Sequence, residues 1–233
     1  MYFGLSEEQK SLEENINRFL ADNAPLDIIK AVANGETDKA QAVHQGIIDL
    51  GLSGLVIPEE YGGLELNTLF ATVVAATLGS GTAPVPFAGS YVMAPMAINL
   101  GGDDNQKNNW LPRIAGGECV IGVGLSEYVG AREDAGIEFS GGKLSGRSLF
   151  VIDGKNADAY LLANKSGELF IVEASNPGIE VIELTTVDKT RTSIELIFKN
   201  ADAELLAGSS DRSVIEKVLA VSYTHLRAHE TES

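Results

Sequence analysis

At 233 residues, with 44% hydrophobic and 21% charged side chains, the chain has the composition of an ordinary globular protein and enough length for a sizeable buried core. Its 17 Lys and Arg stand against 33 Asp and Glu, and the resulting net charge of −16 repels a polyphosphate backbone, which sets nucleic acid aside as a partner. Cys119 is a single cysteine without an internal disulfide partner, and the opening Met1-Tyr2-Phe3-Gly4 has no basic stretch leading into an apolar run; both facts point to the cytoplasm.

The first half reads as helices. Ser6 with Gln9 forms a capping-box pattern, and Leu12, Ile16, Phe19 and Leu20 recur at helical spacing up to about Ala21. Pro25 suits the first turn of a second helix carrying Ile28, Ile29 and Val32, which Asn34-Gly35 ends. Thr37 or Asp38 caps a third, with Val43, Ile47 and Ile48 inward. Leu55-Val56-Ile57-Pro58 predicts a short extended piece, followed by a turn at Glu59-Glu60-Tyr61-Gly62-Gly63.

From Leu66 to Gly102 there is no charged residue. Pro84, Pro86 and Pro95 would break a spanning helix, so the stretch predicts two central helices rather than a membrane span, one capped by Asn67 and one running from Pro86 to Leu100. A last helix is expected from Asp103 to Trp110, ending at Pro112.

After Gly117 the period switches to that of strands. Val120–Leu125, Lys143–Ile152, Tyr160–Ala163, Leu169–Glu173, Ile179–Ile182 and Ser193–Phe198 are β-branched or aromatic runs, with hairpin signals at Ser140-Gly141-Gly142-Lys143 and Lys165-Ser166-Gly167-Glu168. The fold class expected is α+β: a helical region over 1–116, a small antiparallel barrel or sandwich over 117–209, and the first turns of a further helical region over 210–221. Residues 222–233 break the pattern and read as a non-native tail; the alternative is that His225 and His229, spaced i and i+4, face one zinc ion, which would need a third ligand.

Several motifs carry a resemblance. Leu5-Ser6-Glu7-Glu8-Gln9, Val56-Ile57-Pro58-Glu59-Glu60-Tyr61-Gly62-Gly63, Trp110-Leu111-Pro112-Arg113-Ile114 and Leu125-Ser126-Glu127 stand in the order of the acyl-CoA dehydrogenase family, and Arg147-Ser148-Leu149-Phe150-Val151-Ile152-Asp153-Gly154 resembles its Lys-Trp-Ile-Thr-Asn-Gly motif. The likeness covers about residues 3–220. Thr82-Ala83-Pro84-Val85-Pro86-Phe87 and Asp188-Lys189-Thr190-Arg191 resemble divergent members acting on steroid side chains or on dicarboxylic and aromatic acyl-CoAs, often as the smaller subunit of a pair.

The resemblance implies FAD as cofactor, an acyl-CoA substrate, electron-transfer flavoprotein as acceptor, and assembly with like or unlike dehydrogenase subunits. By match, Val123, Leu125 and Ser126 would offer backbone and hydroxyl groups to the flavin, and Phe150, Val151 and Ile152 would lie along its other side. Beside this stands a plainer reading: Val123, Leu125 and Val151 alternate as core strand residues do, and Ser126 caps a strand end. Glu127 reads as a structural acceptor, and Arg191 either pairs with Glu195 or meets a ligand phosphate.

Two departures bear on the cofactor. Ile152 stands where the family has a hydroxyl for the flavin, and Tyr128-Val129-Gly130-Ala131-Arg132-Glu133 replaces the small-residue turn that approaches its pyrophosphate. Arg132 either supplies a charge in place of a hydroxyl or marks a site that no longer holds FAD. The family's general base is a carboxylate from a following helical domain, so no catalytic residue is assigned and the chain by itself is expected to be inactive. Two alternatives remain: a non-catalytic partner subunit, and a flavin monooxygenase or oxidase of the same fold.

Overall fold

The computed structural model describes residues 4–130, 133 and 135–228, with residues 221–228 described by backbone alone. The helical half contains α1 (Glu7–Asn23), α2 (Leu26–Ala33), α3 (Thr37–Asp49), α4 (Thr68–Ser80), α5 (Ala94–Gly101) and α6 (Asp104–Ala115). Helix α1 begins with the expected reciprocal cap: Gln9 N donates to Ser6 Oγ at 3.2 Å, and Ser6 N donates to Gln9 Oε1 at 2.9 Å. Asp103 and Gln106 repeat the device at the start of α6. Helix α4 is buried on most of its faces, as its lack of charge requires. Among the described residues, no helix is long and apolar enough to cross a membrane.

Three local expectations give way. Leu55–Pro58 is not extended: Gly51 (φ 76°) and Gly62 (φ 83°) turn the chain tightly around it, and Leu55 and Ile57 are buried there with no partner strand. Pro112 lies inside α6, where buried Trp110, Leu111 and Ile114 hold the last turn on the core. The helix expected from Pro86 divides into a π-helical segment, Phe87–Met93, and α5. Pro95 has no N–H for the Tyr91 carbonyl, so an unbroken α ladder cannot pass that point.

The second half forms one eight-stranded sheet in the order β6-β7-β3-β1-β4-β5-β8, with β2 paired to β3. Its strands are β1 (Ile121–Gly124), β2 (Gly136–Ser140), β3 (Lys143–Ile152), β4 (Ala159–Ala163), β5 (Leu169–Glu173), β6 (Ile179–Glu183), β7 (Ser193–Asp202) and β8 (Glu204–Leu205). A one-turn helix α7 (Ser126–Val129) follows β1, and α8 (Ser213–Ala228) follows the sheet. The sheet is mixed rather than wholly antiparallel: β1 and β4 run parallel, because the β2–β3 hairpin lies between them in sequence and returns the chain to the same end. The expected hairpin at Gly141-Gly142 forms, with φ 58° and 80°, and aligns Ser140 with Lys143.

Period-2 alternation divides the sheet between two cores. Ala159, Leu161 and Ala163 of β4 join the larger core with the helices, whereas Tyr160 and Leu162 join a smaller one with Leu144, Val151, Leu196 and Phe198. Phe139 of β2 meets Phe170 of β5 at 4.9 Å between ring centroids, although β3, β1 and β4 separate those strands in the sheet, so the sheet curls over the smaller core. Helix α8 runs across residue 222 to Ala228; His229 and the residues after it lie outside those described, as does the side chain of His225.

Candidate functional site

The two motif segments meet where β1 and β3 end side by side, with Val123 opposite Ile152. Close approach there requires the glycines of Gly122-Val123-Gly124. A Cβ on Gly122 would lie 2.7 Å from Gly154 Cα, and one on Gly124 would lie 2.7 Å from Ser148 Oγ and 2.9 Å from Val151 Cγ2.

Glu127, on α7, locks this end. Its buried carboxylate accepts from Leu149 N at 2.8 Å, from Ser148 Oγ at 3.1 Å and from Ser126 Oγ at 3.3 Å. The Ser126 hydroxyl also reaches the Leu149 carbonyl. The contact with Leu149 binds α7 to β3, whereas the contact with Glu127 lies within α7.

Beyond Leu149 the strand changes character. The β3–β7 register shifts between Ser148 and Val151, and Phe150, Asp153 and Asn156 all take left-handed backbone, with φ of 53°, 55° and 60°. An aromatic residue in that region is an outlier that its surroundings must enforce. Phe150 is 52% exposed, although β3 lies between β7 and β1 in the sheet.

Asp153 ties the shelf to the helical half. Its Oδ2 accepts from Gly89 N at 2.9 Å and Ser90 N at 3.3 Å on the π-helical segment, and a Cβ on Gly89 would strike that oxygen at 2.6 Å. Burial pushes its carboxyl up to about 6, against the opposing pull of the Gly89 N–H, the Arg191 charge and the Ser90 N–H. Ser90 Oγ, in turn, accepts from Ile121 N of β1 at 2.8 Å.

The named residues are thus brought to one region but face different ways. Val123 and Leu125 are buried in the larger core and Val151 in the smaller one, so their side chains are packing. Ile152 is half-buried, Ser126 is half-buried with its hydroxyl engaged, and Phe150 alone presents an open side chain. Arg132 lies outside the described residues. Glu195 is paired with Arg147, Nε to Oε1 at 2.9 Å, rather than with Arg191; the neighbouring strand β3 delivers that guanidinium, whereas Arg191 lies on the loop before β7. Sequence reasoning missed Asp153 as a tie between the two halves. Its only sequence signal was its place in the motif, one residue before Gly154.

Among the described residues, no group of His, Cys, Asp and Glu could hold a metal ion. The acyl-CoA dehydrogenase N-terminal domain family matches residues 6–118. Mitochondrial isovaleryl-CoA dehydrogenase of Pongo abelii is 23% identical over 219 residues, which is 84% of this chain and 51% of that protein. The backbone is similar to that of a glutaryl-coenzyme A dehydrogenase in complex with glutaryl-CoA, with a TM-score of 0.82, 20% identity, and coverage of 98% of this chain and 64% of that one. It is also similar to an acyl-CoA dehydrogenase complexed with FAD from Bacillus anthracis, with a TM-score of 0.81, 20% identity, and coverage of 96% and 41%. The chain spans about half the length of the curated isovaleryl-CoA dehydrogenase it matches. The helical half matches the N-terminal domain of the acyl-CoA dehydrogenase family, and the likeness to acyl-CoA dehydrogenases continues through the sheet.

Proposed function

We propose that the whole protein is an FAD-dependent acyl-CoA dehydrogenase and that this chain supplies the shelf against which the flavin ring lies. The observation that carries this is Phe150: an aromatic ring half open to solvent, on a backbone forced left-handed, at the joined ends of β1 and β3. The surroundings fit a flat apolar ring system, with Phe150 and Ile152 as the surface and the backbone around Leu125 and Ser126 as the rim. FAD, when bound, would supply hydride acceptance at its N5, the redox half of an α,β-desaturation.

This chain's own residues would hold the ring and exclude water from one side of it. Glu127 and Asp153, the carboxylates beside the shelf, are both committed to N–H or O–H donors, so neither is assigned as the base. The base is assigned to a part of the whole protein outside this chain, and electron-transfer flavoprotein to the role of acceptor.

A second reading is favoured by Ile152, which offers no hydroxyl where the family's motif places one: the chain is a partner subunit, and an associated dehydrogenase subunit holds the FAD. One experiment separates the two. The whole protein is purified alone and with its companion subunit, and the flavin absorbance is recorded before and after acyl-CoA. Flavin in the protein alone, bleached by acyl-CoA, is expected on the first reading; flavin only in the pair supports the second; none in either preparation rejects both.

A further inference from the structure

Beside Asp153, a cleft of about 540 Å³ opens between the helical half and the sheet. Ligand pockets for small molecules fall in this size range. One wall is apolar: Val32 and Ala33 from α2, Ala40 from α3, and Pro84, Val85 and Pro86 from the loop before the π-helical segment. The opposite wall carries Lys155 from the turn after β3, and Lys189 and Arg191 from the loop before β7. Thr190, Thr192 and Gln41 add neutral polar groups.

In a chain of net charge −16, three cations facing one carboxylate, Asp153, is a local reversal of sign. Lys155 is neutralised by Glu183 at 3.1 Å. Among the described residues, Lys189 and Arg191 make no hydrogen bond or ion pair, and both are exposed at the cleft rim. The loop that carries them is ordered by Asp188, whose Oδ1 accepts from Thr190 N at 2.8 Å and from Thr190 Oγ1 at 2.6 Å. That carboxylate therefore already has its partners.

His44 adds a donor. Tyr91 is fully buried, and burial raises its pKa far above the ordinary phenol value, so it keeps its proton. Its Oη lies 2.5 Å from His44 Nε2, its hydrogen-bond partner among the described residues. The phenol therefore donates to Nε2; the reverse arrangement would leave a buried O–H unsatisfied. Burial lowers the His44 pKa, which keeps the ring neutral and leaves its one proton on Nδ1, and the residue lines the cleft.

We propose that this cleft is a binding site for an organic anion with an apolar body, its phosphate or carboxylate head held by Lys189 and Arg191 and its body against Val32, Ala40 and Val85. The site is separate from the Phe150 shelf and does not rest on the flavin reading. Guanidinium and ammonium groups suit either head, and the apolar wall excludes a bare inorganic ion as the best ligand.

The test uses the whole protein and three probes that share one hexyl body: heptanoate, hexyl phosphate and neutral hexanol. Binding is followed by calorimetry at low salt. The anions are expected to bind and hexanol is not, and the tighter anion assigns the head group. Lys189→Ala and Arg191→Ala, both at exposed positions, should each weaken binding about tenfold, and added salt should weaken it further. Ala40→Trp fills the cleft without changing its charge and should abolish binding, with the circular dichroism spectrum confirming that the fold is kept. Failure of both anions to bind, equal binding of hexanol, or affinity unchanged in both the Lys189 and Arg191 variants would overturn the assignment.

Discussion

Two carboxylates flank the shelf, Glu127 buried and Asp153 half-buried, and they differ in kind. Glu127 sits beneath the end of β1 among three donors from its own sheet and helix, with a glycine-tightened strand beside it. Asp153 reaches across to the helical half, accepts two backbone N–H bonds, and keeps a carboxyl that burial raises to about 6. The first is a closed structural joint. The second stands where the backbone is left-handed at Phe150, Asp153 and Asn156 and where a cleft opens beside it. Backbone strain therefore lies on one half of the shelf, as expected where a surface serves a ligand rather than the core.

The comparison breaks most readily at Glu127. Glu127→Ala leaves Leu149 N–H and the Ser148 hydroxyl buried without their acceptor, and should cost about 3 kcal/mol, or roughly 6–12 °C in Tm. Glu127→Gln keeps an acceptor for Leu149 N and should lose less than half of that. Thermal unfolding of the two variants measures the difference. If Glu127→Ala melts with the parent, the joint is not structural.

Asp153 should behave in the opposite sense. Its pKa is raised from 3.8 to about 6 on folding, so between those values the folded chain holds a proton that the unfolded chain has released. Its contribution to stability is therefore greatest below pH about 4 and is lost as the pH rises through about 6. Asp153→Asn removes that dependence while its side-chain oxygen still accepts from Gly89 and Ser90. At pH 7 the variant should be more stable by on the order of 1 kcal/mol, the loss of charge-assisted hydrogen bonds offsetting the rest. Urea unfolding at pH 4 and pH 7 checks it; the variant's gain should appear at the higher pH and vanish at the lower.

How far these features could be read in the sequence depended on whether their cause was local. Ser6 and Gln9 announce a cap because both partners lie within one turn, and Gly141-Gly142 announces a hairpin because its left-handed backbone is a property of glycine itself. The strand runs were legible too, since alternation survives without knowledge of the partner strand. The parallel β1–β4 pair was not, because it depends on where the β2–β3 hairpin leaves the chain. Within the shelf, the motif located the segment, while the direction of each side chain came from the β3 bulge, which separates core-facing Val151 from open Phe150. The cationic cleft joins α2 and α3 to the loop before β7, groups too distant in sequence for any spacing rule to connect.

The smallest effect is expected at Phe150, and it is the most direct test of what the strained half of the shelf is for. With φ at 53° and half its surface open to water, the ring contributes little packing while its backbone sits in a region that suits glycine. Phe150→Gly should therefore leave stability unchanged or raise it by less than about 1 kcal/mol, the relief of strain being offset by the greater freedom of glycine in the unfolded chain. Flavin affinity of the whole protein should fall in the same variant, since the open ring is lost. A variant that melts higher and binds flavin less tightly would show that the left-handed backbone is maintained for the ligand. A large loss of stability would mean instead that the ring is part of the core and that the shelf has been misassigned.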